Sequence, residues 1–464
     1  MQPYELSLTA AAAEIGARRL SPVELTESVL GRIEATEPAL GAFAHVTGDL
    51  AREAAAAAEA EIAAGRYRGP LHGIPLGVKD LYDTAGVPST SSSKVRAEHV
   101  PDTDAAAVER LLAAGMVMVG KTHTHEFAFG GITPTTRNPW DTGRIPGGSS
   151  GGSGAAVAAG SCMVGLGTDT AGSIRIPANL CGTVGLKPTY GRTSRRGVTS
   201  LSWSLDHVGP LTRNVTDAAL VLDAIAGHDP LDPASVDVPV PDHAAGLTGD
   251  VTGLRVGVPT NYFFDHVHPD VERSVRAAVE VLVGLGAQVR EVTIPYPDQV
   301  LGTEWGIVLP EAAAYHQQSL RAGADLYLET TRLSLEVGEL VLATDYIKAL
   351  RVRTLVQRAW AAMFADIDVL VTPVQPFVAP RVGETEVTWP DGSTESVDQA
   401  MVRLTSPGNL TGLPVLAVPV GFDAAGLPLG MQITGRPFDE ATVLDVGKAY
   451  EAATDVVGRI APVG

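Results

Sequence analysis

Two glycine- and serine-rich stretches decide how this sequence is interpreted: Gly147–Gly160, GGSSGGSGAAVAAG, and Gly167–Pro177, GTDTAGSIRIP. Of the 50 glycines in the 464-residue chain, 13 lie between residues 143 and 191. Glycine lets the backbone adopt left-handed conformations and approach other groups closely. A flexible linker would not continue into the alanine run Ala155–Ala159 and then into an apolar strand. We therefore interpret this segment as rigid backbone that serves a site.

Outside this segment, apolar runs alternate with helical patterns. A helix predicted over 104–114 ends at Gly115 and precedes an apolar run at 116–119, and a helix over 270–285 precedes a strand at 289–294. This alternation predicts an α/β architecture in which helices cover a largely buried sheet. Further strands are predicted at 163–166, 254–258, 368–372, 416–420 and 431–434.

We expect a helical layer over residues 1–65 and an α/β domain over residues 66–464. In the first part, Ser7 and Ser21-Pro22 are typical helix starts, and an alanine-rich third helix ends at Gly65. The segment His228–Gly253 is rich in Pro, Asp and Gly and has no periodicity. It is either a linker between domains or a long irregular connection within one, and we favour one large domain.

The composition excludes several classes of protein. With 45 % hydrophobic and 19 % charged residues, the chain can build a large core. Its net charge of −19 argues against direct binding to nucleic acid or to an anionic membrane. Cys162 and Cys181 cannot form a disulfide framework, and the sequence shows no signal peptide and no run of about 18 apolar residues. We therefore expect a cytoplasmic protein.

Three motif-like patterns do not fit their surroundings. Gly115–Thr122 matches the phosphate-binding pattern GxxxxGKT, but a helix precedes it and its middle residues resemble a strand. Gly148–Gly152 matches the GxSxG elbow of Ser-His-Asp hydrolases, yet no histidine follows His316. The pairs His123/His125 and His266/His268 lack a third ligand, so we expect neither a metal site nor a cofactor.

The remaining motifs resemble those of the amidase-signature hydrolases. The GGSSGGS core and the GTDTAGSIR turn match that family, and so do the stretches Gly73–Asp80, Gly185–Thr189, Ser204–Pro210, Leu410–Pro414 and Gly430–Ile433. The likeness covers about residues 5–455. It implies the amidase-signature fold, a single α/β/α domain with a central mixed, mostly buried sheet covered by helices.

The resemblance implies a Ser–cis-Ser–Lys triad on Ser173, Ser149 and Lys79, with Ser149 held by a cis peptide bond. A serine nucleophile needs an adjacent base, and a lysine can be that base when burial disfavours its ammonium form. Lys79 follows the apolar stretch 74–78, which suits such burial. In this scheme Ser149 relays a proton between Lys79 and Ser173, and Ser173 forms the acyl-enzyme.

The turn that precedes Ser173 is expected to hold the oxyanion of the reaction. The expected donors are the backbone N–H groups of Thr170, Ala171, Gly172 and Ser173. Asp169 and Arg175 flank this turn with opposite charges and are expected to brace it as an ion pair. Ala171 stands where many family members have glycine, so it should fit only if its φ is negative.

The residues that contact substrate are harder to predict. Phe127, Phe129 and Trp305 are candidates for an apolar substrate pocket, although a core position is at least as compatible with each of them. His123 occupies a position that is often Asn in the family, so hydrogen bonding near the pocket should differ there.

We expect a stand-alone hydrolase that cleaves C–N bonds of small amides, and also anilides and carbamates, whose carbonyls react through similar oxyanions. The expected partner is the small-molecule substrate, and the chain would be a monomer or a homodimer. The alternative is the glutaminase-type A subunit of a tRNA-dependent amidotransferase. That subunit carries an acidic residue just before its Leu-Thr-x-Pro-x-Asn-Leu block, where this chain has Met401-Val402-Arg403. An inactive binding protein is disfavoured because all three triad positions are filled.

Overall fold

The computed structural model of the chain describes residues 2–463, and its strands form one large sheet and one small hairpin. The strands are β1 (Phe43–Val46), β2 (Pro75–Lys79), β3 (Val117–Thr122), β4 (Val164–Asp169), β5 (Val184–Lys187), β6 (His207–Thr212), β7 (Arg255–Pro259), β8 (Gln288–Val292), β9 (Val369–Pro373), β10 (Glu386–Thr388), β11 (Thr394–Ser396), β12 (Val415–Phe422) and β13 (Pro428–Thr434).

The helices cover the sheet and contribute the segments between its strands. They are α1 (Leu8–Gly16), α2 (Pro22–Leu40), α3 (Gly48–Ala63), α4 (Ala106–Ala113), α5 (Gly151–Ala159), α6 (Arg175–Cys181), α7 (Val215–Ile225), α8 (His243–Gly246), α9 (Pro269–Gly284), α10 (Val300–Gly323), α11 (Glu329–Glu339), α12 (Ala343–Met363), α13 (Val397–Arg403), α14 (Ser406–Thr411) and α15 (Glu440–Ala453).

The predicted α/β class with a mixed, buried sheet is confirmed. Eleven strands follow the order β1-β3-β2-β4-β6-β5-β12-β13-β9-β7-β8. The pairs β2/β3, β2/β4, β7/β8 and β7/β9 are parallel, and the other neighbours are antiparallel. Every residue of β2, β3, β4 and β6 is buried. Strands that are buried along their whole length read as continuous apolar or small-residue runs, and this pattern predicted β3 and β4. It did not predict β2 or β6, whose short runs are interrupted by glycine.

Local sequence signals explain the predicted helix starts. The hydroxyl of Ser7 accepts a hydrogen bond from the N–H of Ala10 at the start of α1. Ser21 and Glu24 form a capping box at α2, and Pro22 occupies its first turn, where no N–H is needed. These contacts satisfy N–H groups that a helix cannot pair internally.

The first 65 residues contain one element that the sequence did not predict. Phe43–Val46 forms β1, which pairs antiparallel with β3 at the edge of the large sheet. This strand is short, half exposed, and lies between two helices, so it lacks a distinct apolar pattern. Its pairing ties the helical layer directly to the sheet.

The segment His228–Gly253 is irregular apart from the one-turn helix α8. Strands from before and after it meet in the same sheet, where β5 pairs with β12. Within residues 2–463, no helix combines the length and apolarity that crossing a bilayer requires.

The core has two large parts and a smaller helical part near the site. One large cluster joins α1–α3 to β2–β4, and the other joins α7, α9 and α15 to β9, β12 and β13. A third cluster packs α10 and α12 against Phe129 and Leu201. The sequence predicted no helix bounds between residues 299 and 410, where α10–α13 and most of α14 lie.

We expect Asp217 to be a main link between the helical layer and the rest of the fold. Its carboxylate accepts hydrogen bonds from the backbone N–H groups of Leu8 (2.9 Å) and Thr9 (3.0 Å) at the start of α1. Asp217→Ala should lower the free energy of unfolding in urea by about 1–3 kcal/mol, because it leaves buried donors without an acceptor. The exposed Asp298→Ala should stay within about 0.5 kcal/mol of the parent. Equal losses for both variants would contradict this role.

Candidate active site

The amine of Lys79 lies at the end of β2 among hydroxyl groups. Its Nζ atom is 2.8 Å from the hydroxyl oxygens of Ser149, Ser150 and Thr168. The side chain is fully buried. Burial lowers the pKa of Lys79 well below its usual range, although the negative charges of Asp169 and Asp206 oppose this effect. The arrangement therefore favours a neutral amine that can accept a proton.

Ser149 and Ser150 hold the start of α5 against Lys79. The peptide bond between Gly148 and Ser149 is cis, as the family resemblance implies. The Ser149 carbonyl accepts hydrogen bonds from the His125 N–H (3.1 Å) and the Thr133 hydroxyl (3.0 Å), which fix the backbone. Among residues 2–463, only Lys79 hydrogen-bonds the Ser149 hydroxyl.

Ser173 is linked to the same site by a backbone hydrogen bond. Its carbonyl accepts a hydrogen bond from the N–H of Ser150 at 3.2 Å, which ties the two serine-rich turns together. The Ser173 side chain is 7 % exposed and lines a small cavity. In the described part of the chain, its hydroxyl has no hydrogen-bond partner. The structure thus joins Lys79 to Ser149 directly, and Ser173 to this pair through Ser150.

The turn between β4 and α6 is held by the Asp169 carboxylate. It accepts hydrogen bonds from the N–H groups of Gly172 (2.9 Å) and Ile174 (3.1 Å). The N–H of Gly172 therefore points at Asp169. The other predicted oxyanion donors have no protein acceptor within the described residues; they are the N–H groups of Thr170, Ala171 and Ser173.

The conformation of this turn explains its sequence. Gly172 has a φ of +130°, and a Cβ atom there would overlap the side chain of Thr405. Ala171 has no positive φ, which confirms the condition under which a methyl group fits at this position. Glycine is thus required at residue 172 but not at 171.

Asp169 and Arg175 form a fully buried ion pair. The guanidinium approaches the carboxylate in two places, with Nε and Nη2 each 3.0 Å from an oxygen. Burial alone would raise the pKa of Asp169, but the charge and hydrogen bonds of Arg175 hold this pKa well below its usual range. The predicted bracing of the turn thus has a direct structural basis.

Sequence reasoning missed several residues that support this pair. Asn409 on α14 accepts from Arg175 at 2.6 Å and donates to the Asp169 carboxylate at 2.9 Å. Arg175 also donates to the Thr405 carbonyl (2.9 Å) and the Gln432 side chain (3.0 Å). Residues 405 and 409 belong to the Leu404–Leu410 block, so that motif was a usable signal.

The hydroxyls of Ser150 and Thr168 were also missed as partners of Lys79. Both lie within the two glycine- and serine-rich stretches, for which the sequence predicts only the Ser149 hydroxyl as a partner of Lys79. Thr170 is similarly fixed, because its hydroxyl donates to Asp206 at 2.7 Å. Asp206 comes from the Ser204–Pro210 motif.

A small cavity adjoins Ser173, and a larger cavity shares part of its wall. The smaller, of about 30 Å³, is lined by Ser173, Thr170 and Ala171 and has room for about two water molecules. The larger, of about 470 Å³, shares Phe129, Trp305 and Val402 with it. A third cavity, of about 370 Å³, also shares part of its wall with the small one, through Ala128, Thr170 and Leu201.

The three aromatic candidates are placed differently. Phe129 and Trp305 line both cavities. Phe127 is 1 % exposed and packs against the rings of His316 and Tyr327, with centroid distances of 4.4 and 5.5 Å. It is a core residue and lines neither cavity.

The histidine pairs show no sign of metal binding. Within residues 2–463, no group of three or more His, Cys, Asp or Glu side chains is arranged to hold a metal ion. His123 pairs with the Ser92 hydroxyl at 3.1 Å. His125 lines the larger cavity, and burial lowers its pKa to about 4, so its ring is neutral at neutral pH.

We predict that Arg175→Met lowers the free energy of unfolding in urea by about 3–5 kcal/mol, because it leaves the Asp169 carboxylate buried without its counter-ion. The pKa of Asp169 would rise in this variant, so the loss should shrink as the pH falls and the carboxylate becomes protonated. Asp169→Asn combined with Arg175→Met should recover part of the loss at neutral pH. A double variant less stable than Arg175→Met would contradict the role of the ion pair.

Known proteins are similar to this chain over nearly its whole length. The family model described as Amidase matches residues 24–444. An amidase from Pseudomonas putida is 54 % identical over 450 residues, which cover 97 % of this chain and 96 % of the relative. The A-type subunit of the glutamyl-tRNA(Gln) amidotransferase from Chloroflexus aggregans is 44 % identical over 483 residues, covering 97 % of each. The native peptide amidase from Stenotrophomonas maltophilia superposes with a TM-score of 0.87 at 31 % identity, over 100 % of both chains.

The family match extends over most of the sequence, and the similar structure has the same fold over its whole length. On this evidence, the chain belongs to the amidase-signature family of hydrolases.

Proposed function

We propose that this chain hydrolyses small amides through Lys79, Ser149 and Ser173. The observation that carries the proposal is that the buried amine of Lys79 contacts the Ser149 hydroxyl. All the groups in the described chain that this amine hydrogen-bonds are hydroxyls, and none is a carboxylate. A lysine that is surrounded by hydroxyls and removed from water is poised to act as a general base. Ser173 lines a small cavity, and its hydroxyl, which has no hydrogen-bond partner among residues 2–463, supplies the nucleophile.

The chemistry proceeds in two halves. Ser173 Oγ attacks the carbonyl carbon while its proton passes to Ser149, whose own proton passes to Lys79 Nζ. The N–H groups of Thr170, Ala171 and Ser173 stabilise the oxyanion, each by about 3–4 kcal/mol. The C–N bond then breaks as the proton returns through Ser149 to the leaving amine. Water attacks the resulting ester by the same proton path and releases the acid and Ser173.

The cavities set the size and character of the substrate. The small cavity beside Ser173 fits the reacting carbonyl group and little else. The larger cavity has apolar walls from Phe129, Trp305 and Leu309, so it suits an aliphatic or aryl group attached to that carbonyl or its nitrogen. Amides, anilides and carbamates of moderate size satisfy both conditions.

A second candidate is the glutaminase-type A subunit of an amidotransferase, because one such protein is 44 % identical to this chain. The family resemblance implies that such a subunit carries an acidic residue just before its Leu-Thr-x-Pro-x-Asn-Leu block, where it suits the ammonium group of glutamine. In this chain Val402 precedes the block by two residues and lines the small cavity beside Ser173. An apolar wall at this position disfavours glutamine and leaves the stand-alone amidase as the better fit.

The purified chain alone should release amine from simple amides such as hexanamide or acetanilide. Ser173→Ala should abolish this activity, with kcat lowered by roughly 10³-fold or more, because the acyl-enzyme cannot form. Ser274→Ala on α9, outside the site, is the matched control and should keep the parent rate. Amine release measured by an ammonia or aniline assay decides the result.

Absence of activity toward every amide, with glutamine hydrolysis only when the other amidotransferase components are added, would favour the second candidate. An active Ser173→Ala enzyme would contradict the mechanism itself.

We further predict that Lys79→Ala lowers kcat by about 10²–10⁴-fold at pH 7, which is the usual contribution of a general base. Because the folded protein lowers the pKa of Lys79, the parent keeps its base at pH values where a free lysine is cationic and loses it only as the pH falls through this lowered pKa. The pH profile of kcat should therefore show an acid limb that Lys79→Ala lacks.

Lys121→Met is the control for removing a buried lysine, because Lys121 on β3 contacts the Ser89 hydroxyl (2.7 Å) and does not contact the triad. Circular dichroism shows whether each variant is folded. A Lys79→Ala enzyme with the same acid limb as the parent would assign the base to another group.

A further inference from the structure

The larger cavity contains one carboxylate that no other protein group neutralises. Asp398 lines this cavity, and within the described residues its side chain forms neither a hydrogen bond nor an ion pair. Asp398 is exposed to solvent in the wall of this cavity, and its packing there raises its pKa, with no nearby cation to offset the effect. A carboxylate in a cavity wall with no cation beside it can attract a cationic group on a substrate.

The helix α13 fixes the distance between Asp398 and the reacting atoms. Val402 lies on this helix and lines both the small cavity beside Ser173 and the larger one. Asp398 precedes it by four residues and lines only the larger cavity. Residues four apart lie on one face of a helix, separated by about 6 Å along its axis. Asp398 therefore lies about one helical turn from Val402 along α13, on the side that lines only the larger cavity.

The wall between the two positions is apolar, and the groups around Asp398 are polar but uncharged. Trp305 and Leu309 on α10 follow the path outward from Ser173. Thr330 and Ser334 on α11 contribute hydroxyl groups to the same cavity.

No basic side chain is available to Asp398 from within the cavity, as far as the described residues 2–463 show. Arg403, on the same helix, is 3.3 Å from Glu395 and also donates to the carbonyl of His266 at 2.9 Å. His125, the other titratable residue in the cavity wall, is neutral at neutral pH because its pKa is about 4.

We propose that Asp398 is a specificity-determining residue that binds a cationic amino group on the substrate. The substrate class is an amide whose carbonyl is joined by a short apolar chain to a protonated amine. The carbonyl would occupy the small cavity, the apolar chain would lie along Trp305 and Val402, and the ammonium would meet Asp398. This inference rests on the proposed amidase function and adds the substrate's charge and approximate length to it.

The test compares substrates that differ only in the terminal group. The probes are 6-aminohexanamide, which ends in an ammonium, its neutral analogue heptanamide, and adipamic acid, which ends in a carboxylate. The parent should prefer 6-aminohexanamide over heptanamide by about two- to fivefold in kcat/KM, as expected for one ion pair with an exposed carboxylate, and should disfavour adipamic acid. 4-Aminobutanamide, in which the ammonium falls short of Asp398, should show a smaller preference over pentanamide.

Asp398→Asn should remove the preference for 6-aminohexanamide, chiefly through KM, and leave heptanamide hydrolysis within about twofold. Asp398→Lys should shift the preference toward adipamic acid. Glu386→Gln on β10 removes the same charge from an exposed position outside the cavity and should keep the parental preference.

The outcomes separate this inference from the proposed function. If the parent hydrolyses heptanamide but shows no preference for the ammonium substrate, the role of Asp398 is wrong and the amidase function stands. If Asp398→Asn slows all three substrates equally, Asp398 is structural. If the parent hydrolyses none of the amides, the proposed function itself fails.

Discussion

The buried ion pair between Asp169 and Arg175 is the interaction on which the catalytic turn depends. The carboxylate binds the guanidinium with one side and the N–H groups of Gly172 and Ile174 with the other. The guanidinium in turn binds α14 through Asn409. A charge pair removed from water is tolerated only when such additional hydrogen bonds satisfy its remaining atoms. The turn is therefore held by contacts from segments that are far apart in the sequence.

The same ion pair explains how Lys79 can be neutral nearby. The negative charge of Asp169 favours the ammonium form of Lys79, but Arg175 already provides its counter-charge. Lys79 has only hydroxyl groups as direct partners, and hydroxyls can accept from an ammonium or donate to a neutral amine. Two buried basic side chains thus have different roles: Arg175 is fixed as a cation by a carboxylate, and Lys79 is left free to change its protonation.

The sequence predicted those parts of the molecule whose signals are local. The strands predicted at 163–166 and 368–372, the capped helix that begins at Pro22 and the two serine-rich turns follow from periodicity, caps and glycine content within short windows. It did not predict β1, whose four residues gain their strand conformation from pairing with β3. Nor could spacing alone show that Asn409 contacts Asp169, because 240 residues separate them. Such contacts depend on how the sheet and α14 pack together.

Chemistry and specificity are thus encoded in different parts of this chain. The proposed catalytic groups lie at the ends of β2 and β4 and at the starts of α5 and α6, where small residues and a fixed sheet register leave little freedom. The larger cavity is built mainly by α10, α11 and α13, whose side chains can change without disturbing that register. A relative with the same serine-rich turns can therefore act on a different amide, and the substrate must be inferred from groups such as Asp398 and Val402.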